Sequence, residues 1–276
     1  MAELRVLFDE TNRRLRRAQD AMDLLDEQLR AWSTSRPYSV KTTVSDDRLS
    51  WSAVIRVHNE IDADGRGALF GRAIHDLRSA LDNLAWGVVG ALDAMPERTN
   101  QVQFPVLLNG ADWRRVRQGA FARLPDRVAE TIRSYQPFTL PDHAAGFSVA
   151  QHPLAILHRY DIMDKHRASL QAGNAVDWLS SAFEVEFEVQ GSAEHNRTPL
   201  TEFVDSLETS GTIEIRQSVR DRISQVTGTY FVPYRLVVEH DSEGAVPLSS
   251  TPRELLRFVA LVVGGVLDSA EAELAN

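Results

Sequence analysis

The side chains best suited to chemistry are concentrated in one stretch of the sequence, QHPLAILHRYDIMDKHR, residues 151–167. Proton-transferring and anion-binding groups make up nearly half of it: His158, Arg159, Asp161, Asp164, Lys165, His166 and Arg167. Pro153 favours the first turn of a helix, which His152 is expected to cap, and Leu154 and Ile156 supply an apolar side. The stretch is therefore predicted to be a helix that runs to about Arg167 and carries the candidate site.

Two faces of this predicted helix carry ionisable groups. His158, Asp161 and Lys165 share one face, and Arg159 and His166 share another, two turns apart. Histidine suits proton transfer because its unperturbed pKa lies near 6.5. Arginine suits the negative charge that develops on a phosphate during its reaction. We therefore take Arg159 and His166, with His158 and Lys165, as candidate catalytic residues.

A structural role for the same residues stays open. The apolar side of the helix would then pack into the core, and Asp161 would pair with Lys165 four residues later, the favoured orientation for such a pair. Lys165, His166 and Arg167 would complement the negative end of the helix dipole. Basic helix ends of this kind are common, so the charges alone do not establish a site.

A second predicted helix, residues 66–93, carries ionisable groups beside an apolar seam. The seam repeats close to heptad spacing: Phe70, Ile74, Leu77, Leu81, Leu84 and Val88. Trp86 is expected in the core, and a lone histidine such as His75 is usually a satisfied boundary residue. The groups next to the seam and those of the first stretch together give the candidate binding residues: His75, Arg78, Asp82, Asp161, Asp164 and Arg167.

A histidine–carboxylate metal site is a third interpretation. If the two predicted helices face each other, they offer alternative ligand sets: Asp164 and His166 with His75 and Asp82, or with His158 and Asp161. This spacing is not diagnostic, so no metal ligand is assigned and no cofactor is predicted. The sequence also contains no dinucleotide, P-loop, nucleophile-elbow, zinc-protease or EF-hand motif.

Composition narrows the function classes. The 276 residues include no cysteine, which excludes disulfides, thiolate metal sites and cysteine nucleophiles. The net charge of −9 at pH 7 disfavours a protein that coats DNA non-specifically. The N-terminus lacks the apolar core of a signal peptide, and the longest apolar run, residues 258–267, is shorter than the roughly 20 residues that span a bilayer. We therefore expect a cytoplasmic protein with no membrane partner.

Periodicity predicts the α+β class, with a long-helix bundle packed on an antiparallel sheet of about four or five strands. Alternating apolar and polar residues predict the strands, and steps of three and four predict the helices. We expect one domain over residues 1–276, made of a helix-rich region (1–175) with an early hairpin (38–61), a strand-rich region (180–245) and a C-terminal helix (252–275).

Two resemblances add to these patterns. The spacing Arg159-x6-His166 resembles the arginine-to-histidine signature of HEPN-family ribonucleases. It implies metal-independent attack of an RNA 2′-hydroxyl on the adjacent phosphate, at a site shared by a homodimer of helical bundles. The wider pattern IHDLRSALDNLAW, FPV, QPF, HPL and DKHR resembles a family of uncharacterised bacterial and phage-related proteins, and implies no activity. The sequence thus favours a binding or structural module of unknown partner, with a ribonuclease acting on RNA as the alternative.

Overall fold

The computed structural model divides the chain into two compact units. The helical unit comprises Met1–Leu25, Gly67–Leu170 and Ser249–Asn276, and the strand unit comprises Asp26–Arg66 and Gln171–Leu248. The structure describes residues 2–35, 38–57, 62–139, 148–166, 171–176, 180–188, 212–231, 234–240, 244–247 and 251–275. The expectation that residues 1–276 form a single domain stays a prediction.

Six α-helices are present in the described ranges: α1 (Ala2–Thr34), α2 (Ala63–Ala91), α3 (Ala111–Gln118), α4 (Asp126–Ser134), α5 (Pro153–His166) and α6 (Pro252–Leu274). The apolar seam predicted for α2 is buried, with Phe70, Ile74, Leu77 and Leu81 inaccessible to solvent. A capping box opens α6, since Thr251 and Glu254 exchange side-chain-to-backbone hydrogen bonds. None of the described helices is long and apolar enough to cross a bilayer.

The helix α2 packs against α1 on one side and against α5 on the other, antiparallel to each. Arg14 of α1 binds Asp76 of α2 with an Nη1–Oδ1 distance of 2.9 Å. On the other side, the rings of Phe70 and Tyr160 meet edge to face, with their centres 5.2 Å apart. The central position of α2 explains its apolar seam, because both neighbouring helices cover it.

The described strands form three small antiparallel sheets within the strand unit. The first has the order β1 (Tyr38–Val44), β2 (Ser50–Val57) and β5 (Thr212–Ser218). The second has the order β3 (Gln171–Val176), β7 (Tyr234–His240) and β8 (Gly244–Pro247), and the third pairs β4 (Ser180–Phe187) with β6 (Ile223–Phe231). The predicted early hairpin is confirmed over residues 38–57, since Val44 pairs with Trp51 across the turn and Val40 with Ile55, and residues 58–61 of its predicted span lie outside the described residues.

The predicted architecture, a helix bundle on one sheet of four or five strands, is wrong. The described part of the chain is mostly helical, and its strands form separate sheets of three, three and two strands instead of one. The reason is that the alternation of apolar and polar residues predicts strands but not which strands pair. Alternating apolar residues indicate that one face of a strand is buried, but every strand with that pattern looks alike. The order in which strands become neighbours is therefore not encoded in the period.

The paired glycines of α6 have different surroundings, which gives a matched test of helix packing. A Cβ on Gly265 would overlap the Tyr135 hydroxyl and lie 3.1 Å from Cζ of that ring, whereas a Cβ on Gly264 meets nothing within 4 Å. We expect Gly265→Ala to lower the free energy of unfolding by about 1–3 kcal/mol, because the ring must move. Gly264→Ala should raise it by about 0.5–1 kcal/mol.

Urea unfolding followed by circular dichroism measures both variants against the wild type. Equal effects of the two substitutions would contradict the close approach of α6 to Tyr135, since both change the helix propensity in the same way.

Candidate functional site

The candidate residues of α2 and α5 meet where the two helices cross. The exposed carboxylate of Asp164 lies over Gly71, since a Cβ at that position would be 2.5 Å from Oδ1 and 3.1 Å from Cγ of Asp164. One turn before Asp164 in α5, the ring of Tyr160 packs against Phe70. These contacts fix the antiparallel register of the two helices, and they place Asp161 of α5 opposite His75 of α2.

The side chains of His75 and Asp161 face each other across this crossing. The Nδ1 atom of His75 lies 3.8 Å from Oδ1 of Asp161, which is ion-pair distance and longer than a hydrogen bond. The Asp161 side chain is buried, with 6% of its surface exposed, whereas that of His75 is 49% exposed. A buried carboxylate thus lies beside an imidazole that solvent reaches, which is the arrangement in which an acid can orient a base.

The candidate catalytic residues of α5 have the following positions. Arg159 is exposed, with its guanidinium carbon 5.9 Å from the centre of the Tyr160 ring, and His158 is half-buried. Lys165 and His166 lie in the last turn of α5, but their side chains are outside the described residues. Arg167, predicted as the end of the helix and as a binding residue, lies beyond the described part of α5.

The meeting of Arg159 with His166 therefore stays a prediction, as does the pairing of Asp161 with Lys165. Helical spacing places Arg159 and His166 on the same face of α5, since seven residues make nearly two full turns.

Arg78 and Asp82, two candidate binding residues, hold the extended segment at Phe104. The Nη2 atom of Arg78 donates to Oδ1 of Asp82 and to the carbonyl oxygen of Phe104, at 2.8 Å each. The backbone N–H of Phe104 donates to the same Asp82 oxygen at 3.0 Å. Arg78 is buried, with 6% of its surface exposed. These contacts give the pair a structural role, because they satisfy both backbone groups of Phe104.

His152 caps α5, as its place before Pro153 indicated. Its Nδ1 accepts a hydrogen bond from the backbone N–H of Leu154 at 3.2 Å. The ring meets Phe258 of α6 edge to face, with centres 5.1 Å apart. Burial lowers the pKa of His152 to about 4. The histidine is therefore neutral at pH 7, which keeps the Nδ1 lone pair available for the cap.

We expect His152 to make the protein sensitive to acid. Its pKa is near 6.5 in the unfolded chain and about 4 in the folded protein, so the unfolded chain binds the proton more tightly. The stability that His152 contributes is complete above about pH 6.5 and is lost as the pH falls towards 4. Between about pH 7 and pH 4.5 the loss should be on the order of 2 kcal/mol.

The control for this prediction is His152→Asn, since asparagine also accepts a hydrogen bond at a helix N-cap but does not titrate. Urea unfolding at both pH values measures the difference. An equal loss of stability in wild type and variant would contradict the role of His152.

Within the described residues, no group of three histidine, aspartate or glutamate side chains is placed to hold a metal ion. The structure does bring together the two helices that the metal interpretation required to face each other. It pairs His75 with Asp161, however, and the carboxylate of Asp82 is engaged with Arg78 and Phe104.

Several features of the site were missed from the sequence. The ion pair of Arg14 with the buried Asp76 was not predicted, although a carboxylate on the buried side of α2 requires a cation nearby. The expectation that Trp86 is a core residue is wrong, since 43% of its surface is exposed. Arg72, His75 and Trp86 share one face of α2, and that face could have been recognised from the helical period alone.

Comparison of the chain with known protein families, with curated proteins and with solved structures gives no match. The resemblances to HEPN ribonucleases and to bacterial and phage-related proteins therefore stay predictions.

Proposed function

We propose that the crossing of α2 and α5 is the active site of a metal-independent ribonuclease. The observation that carries the proposal is the pair formed by half-exposed His75 and buried Asp161, 3.8 Å apart. Catalytic hydrogen bonds are often long in proteins without substrate and shorten when substrate binds, so this distance suits a resting site. The arginine-to-histidine resemblance of α5 supports RNA as the substrate.

His75 acts as the general base in this mechanism. When the pair shortens to hydrogen-bond distance, Nδ1 of His75 donates to Asp161, which leaves the lone pair on Nε2 to accept the proton of the RNA 2′-hydroxyl. The 2′-oxygen attacks the adjacent phosphorus, and the bond from phosphorus to the 5′-oxygen breaks. A general acid returns a proton to that leaving oxygen. The products are a 2′,3′-cyclic phosphate and a 5′-hydroxyl end.

Arg159 and His166 lie on the face of α5 that is turned away from Asp161, because positions 159 and 161 are separated by about 200° of helical rotation. The reaction at His75 and Asp161 therefore does not use them from the same copy of the chain. A role for the exposed guanidinium of Arg159 at the phosphate, and for His166 as the general acid, requires the partner protomer of the homodimer that the resemblance implies.

A second candidate function is RNA binding without cleavage. The observation that favours it is the exposed face of α2, which carries Arg72 and a Trp86 side chain with 43% of its surface exposed. A module of this kind would use the exposed face of α2 and would not need the imidazole as a base.

Incubation of purified protein with single-stranded RNA in excess EDTA tests the proposal and separates the two functions. We expect cleavage with 2′,3′-cyclic phosphate ends, abolished in His75→Ala and retained in Arg127→Gln, which removes an exposed side chain of α4 outside the proposed site. Binding without cleavage would support the second function. Cleavage that EDTA abolishes, or that His75→Ala retains, would exclude the proposed mechanism.

A further inference from the structure

We infer that the substrate is a single strand that lies along the exposed face of α2, with a phosphate held by Arg17 and Arg72 and a base stacked on Trp86. The inference rests on the proposed function for its reaction, but it assigns a binding surface that the His75–Asp161 pair does not require. Three features of the helical unit support it.

The first feature is a groove between α1 and α2. It has a volume of about 530 Å³ and is lined by Arg17, Asp20, Leu24, Leu69, Arg72 and Asp76. Small-molecule sites have volumes of roughly 300–1,000 Å³, so the groove is large enough for a nucleotide phosphate and its sugar. Its apolar floor comes from the two leucines, and its charged groups come from both helices.

The second feature is the charge of this groove. Arg14 neutralises Asp76 through the ion pair at 2.9 Å, which leaves Arg17 and Arg72 facing one further carboxylate, Asp20. Both arginines are exposed, and neither makes an ion pair or a side-chain hydrogen bond with any residue that the structure describes. Guanidinium groups bind phosphate in a bidentate manner, so two of them in one groove favour a phosphate ligand.

The third feature is the face of α2 that begins at this groove. Helical spacing places Arg72, His75, Ser79, Asn83 and Trp86 on one stripe. His75 lies one turn from Arg72, so a phosphate bound by Arg72 is next to the proposed base. Trp86 lies roughly 20 Å further along the helix axis, a span of several nucleotides.

Trp86 is the residue that favours a single strand. Its side chain is large and apolar, yet 43% of its surface is exposed to solvent. Exposed aromatic rings bind single-stranded nucleic acids because any base stacks on them once it is free of its own pair. A duplex keeps its bases paired and offers no face for this contact.

The test uses a short fluorescent 2′-O-methyl RNA oligonucleotide, which lacks the 2′-hydroxyl and is not cleaved by the proposed reaction. Fluorescence anisotropy gives its Kd for the full chain. We expect Arg17→Gln and Arg72→Gln each to raise Kd by about fivefold and to reduce the salt dependence by roughly 0.7 in logarithmic slope. Trp86→Ala should raise Kd about tenfold with the salt dependence unchanged.

The controls are Arg127→Gln, which removes an exposed arginine of α4, and Leu261→Ala, which truncates an exposed apolar residue of α6. Neither should change Kd. Equal effects of these controls, no binding by the wild type, or equal affinity for the matching duplex would each overturn the inference.

Failure of this inference is distinguishable from failure of the proposed function. If His75→Ala abolishes cleavage while the Arg17, Arg72 and Trp86 variants bind RNA as tightly as the wild type, the proposed binding surface is wrong and the proposed active site is supported. If those variants bind RNA more weakly but the wild type cleaves no RNA, the binding surface is supported and the proposed active site is wrong.

Discussion

Asp82→Ala is expected to lower the free energy of unfolding by about 3 kcal/mol, among the largest effects of any single substitution in the helical unit. The buried guanidinium of Arg78 would lose its carboxylate, and the backbone N–H of Phe104 would lose its acceptor. Breaking a buried ion pair from one side typically costs about 3–5 kcal/mol. Because the Asp82 side chain is 32% exposed, we expect the lower end of this range.

A double-mutant cycle with Arg78→Met isolates the pair. Once Arg78 is replaced by an uncharged side chain of similar length, loss of Asp82 should cost much less, since no buried charge is left without a partner. Asn83→Ala, at the next position of α2, is the matched control and should change stability by less than about 1 kcal/mol. If Asp82→Ala cost no more than Asn83→Ala, the clamp on Phe104 would not contribute to stability.

His75→Ala is expected to lower the rate of RNA cleavage by about 10²–10⁴-fold, the usual contribution of a general base. Stability should change little, because about half of the His75 side chain is exposed and its only described polar contact is the long one to Asp161. Unfolding by urea checks that the variant is folded before its rate is compared with that of Arg127→Gln, a control outside the proposed site. A rate loss that accompanies unfolding would be a structural effect and not a catalytic one.

The helices of this protein could be predicted from sequence because their signals are local. The stripes of α1 and α2 repeat at the helical period, and Thr251 with Glu254 gives the start of α6 within four residues. The cap at His152 was likewise indicated by the proline that follows it. Each of these signals depends on neighbours along the chain, so no knowledge of the fold is needed to interpret them.

The arrangement of strands could not be predicted in the same way. Glu184 and Val185 of β4 alternate as expected, yet their partners are Thr227 and Val226 of β6, and the other strands belong to separate sheets. Alternation reports burial of one face and gives no information on which strand lies beside it. The predicted single sheet was therefore an assumption about neighbours, and it was that assumption that failed.

The candidate site shows the same division. The sequence placed His75 and Asp161 among the binding residues but did not pair them, because the pairing depends on how α2 and α5 are aligned. That alignment is set by tertiary packing such as the contact between the Phe70 and Tyr160 rings. Arg78 and Asp82 were grouped with them, although their charges satisfy the backbone of Phe104. The sequence identifies which residues are ionisable. Only their tertiary contacts distinguish residues with a structural role from candidates for the site.

The measurement that tests the proposed active site most directly is a rate cycle in EDTA with wild type, His75→Ala, Asp161→Asn and the double variant. If Asp161 acts by orienting His75, Asp161→Asn alone should lower the cleavage rate by about 10²-fold, because the amide of asparagine does not replace the carboxylate. The double variant should be no slower than His75→Ala, since residues that act as a unit are not additive. Rates for the single variants that equal the wild-type rate, or two losses that multiply in the double variant, would contradict an active site built on this pair.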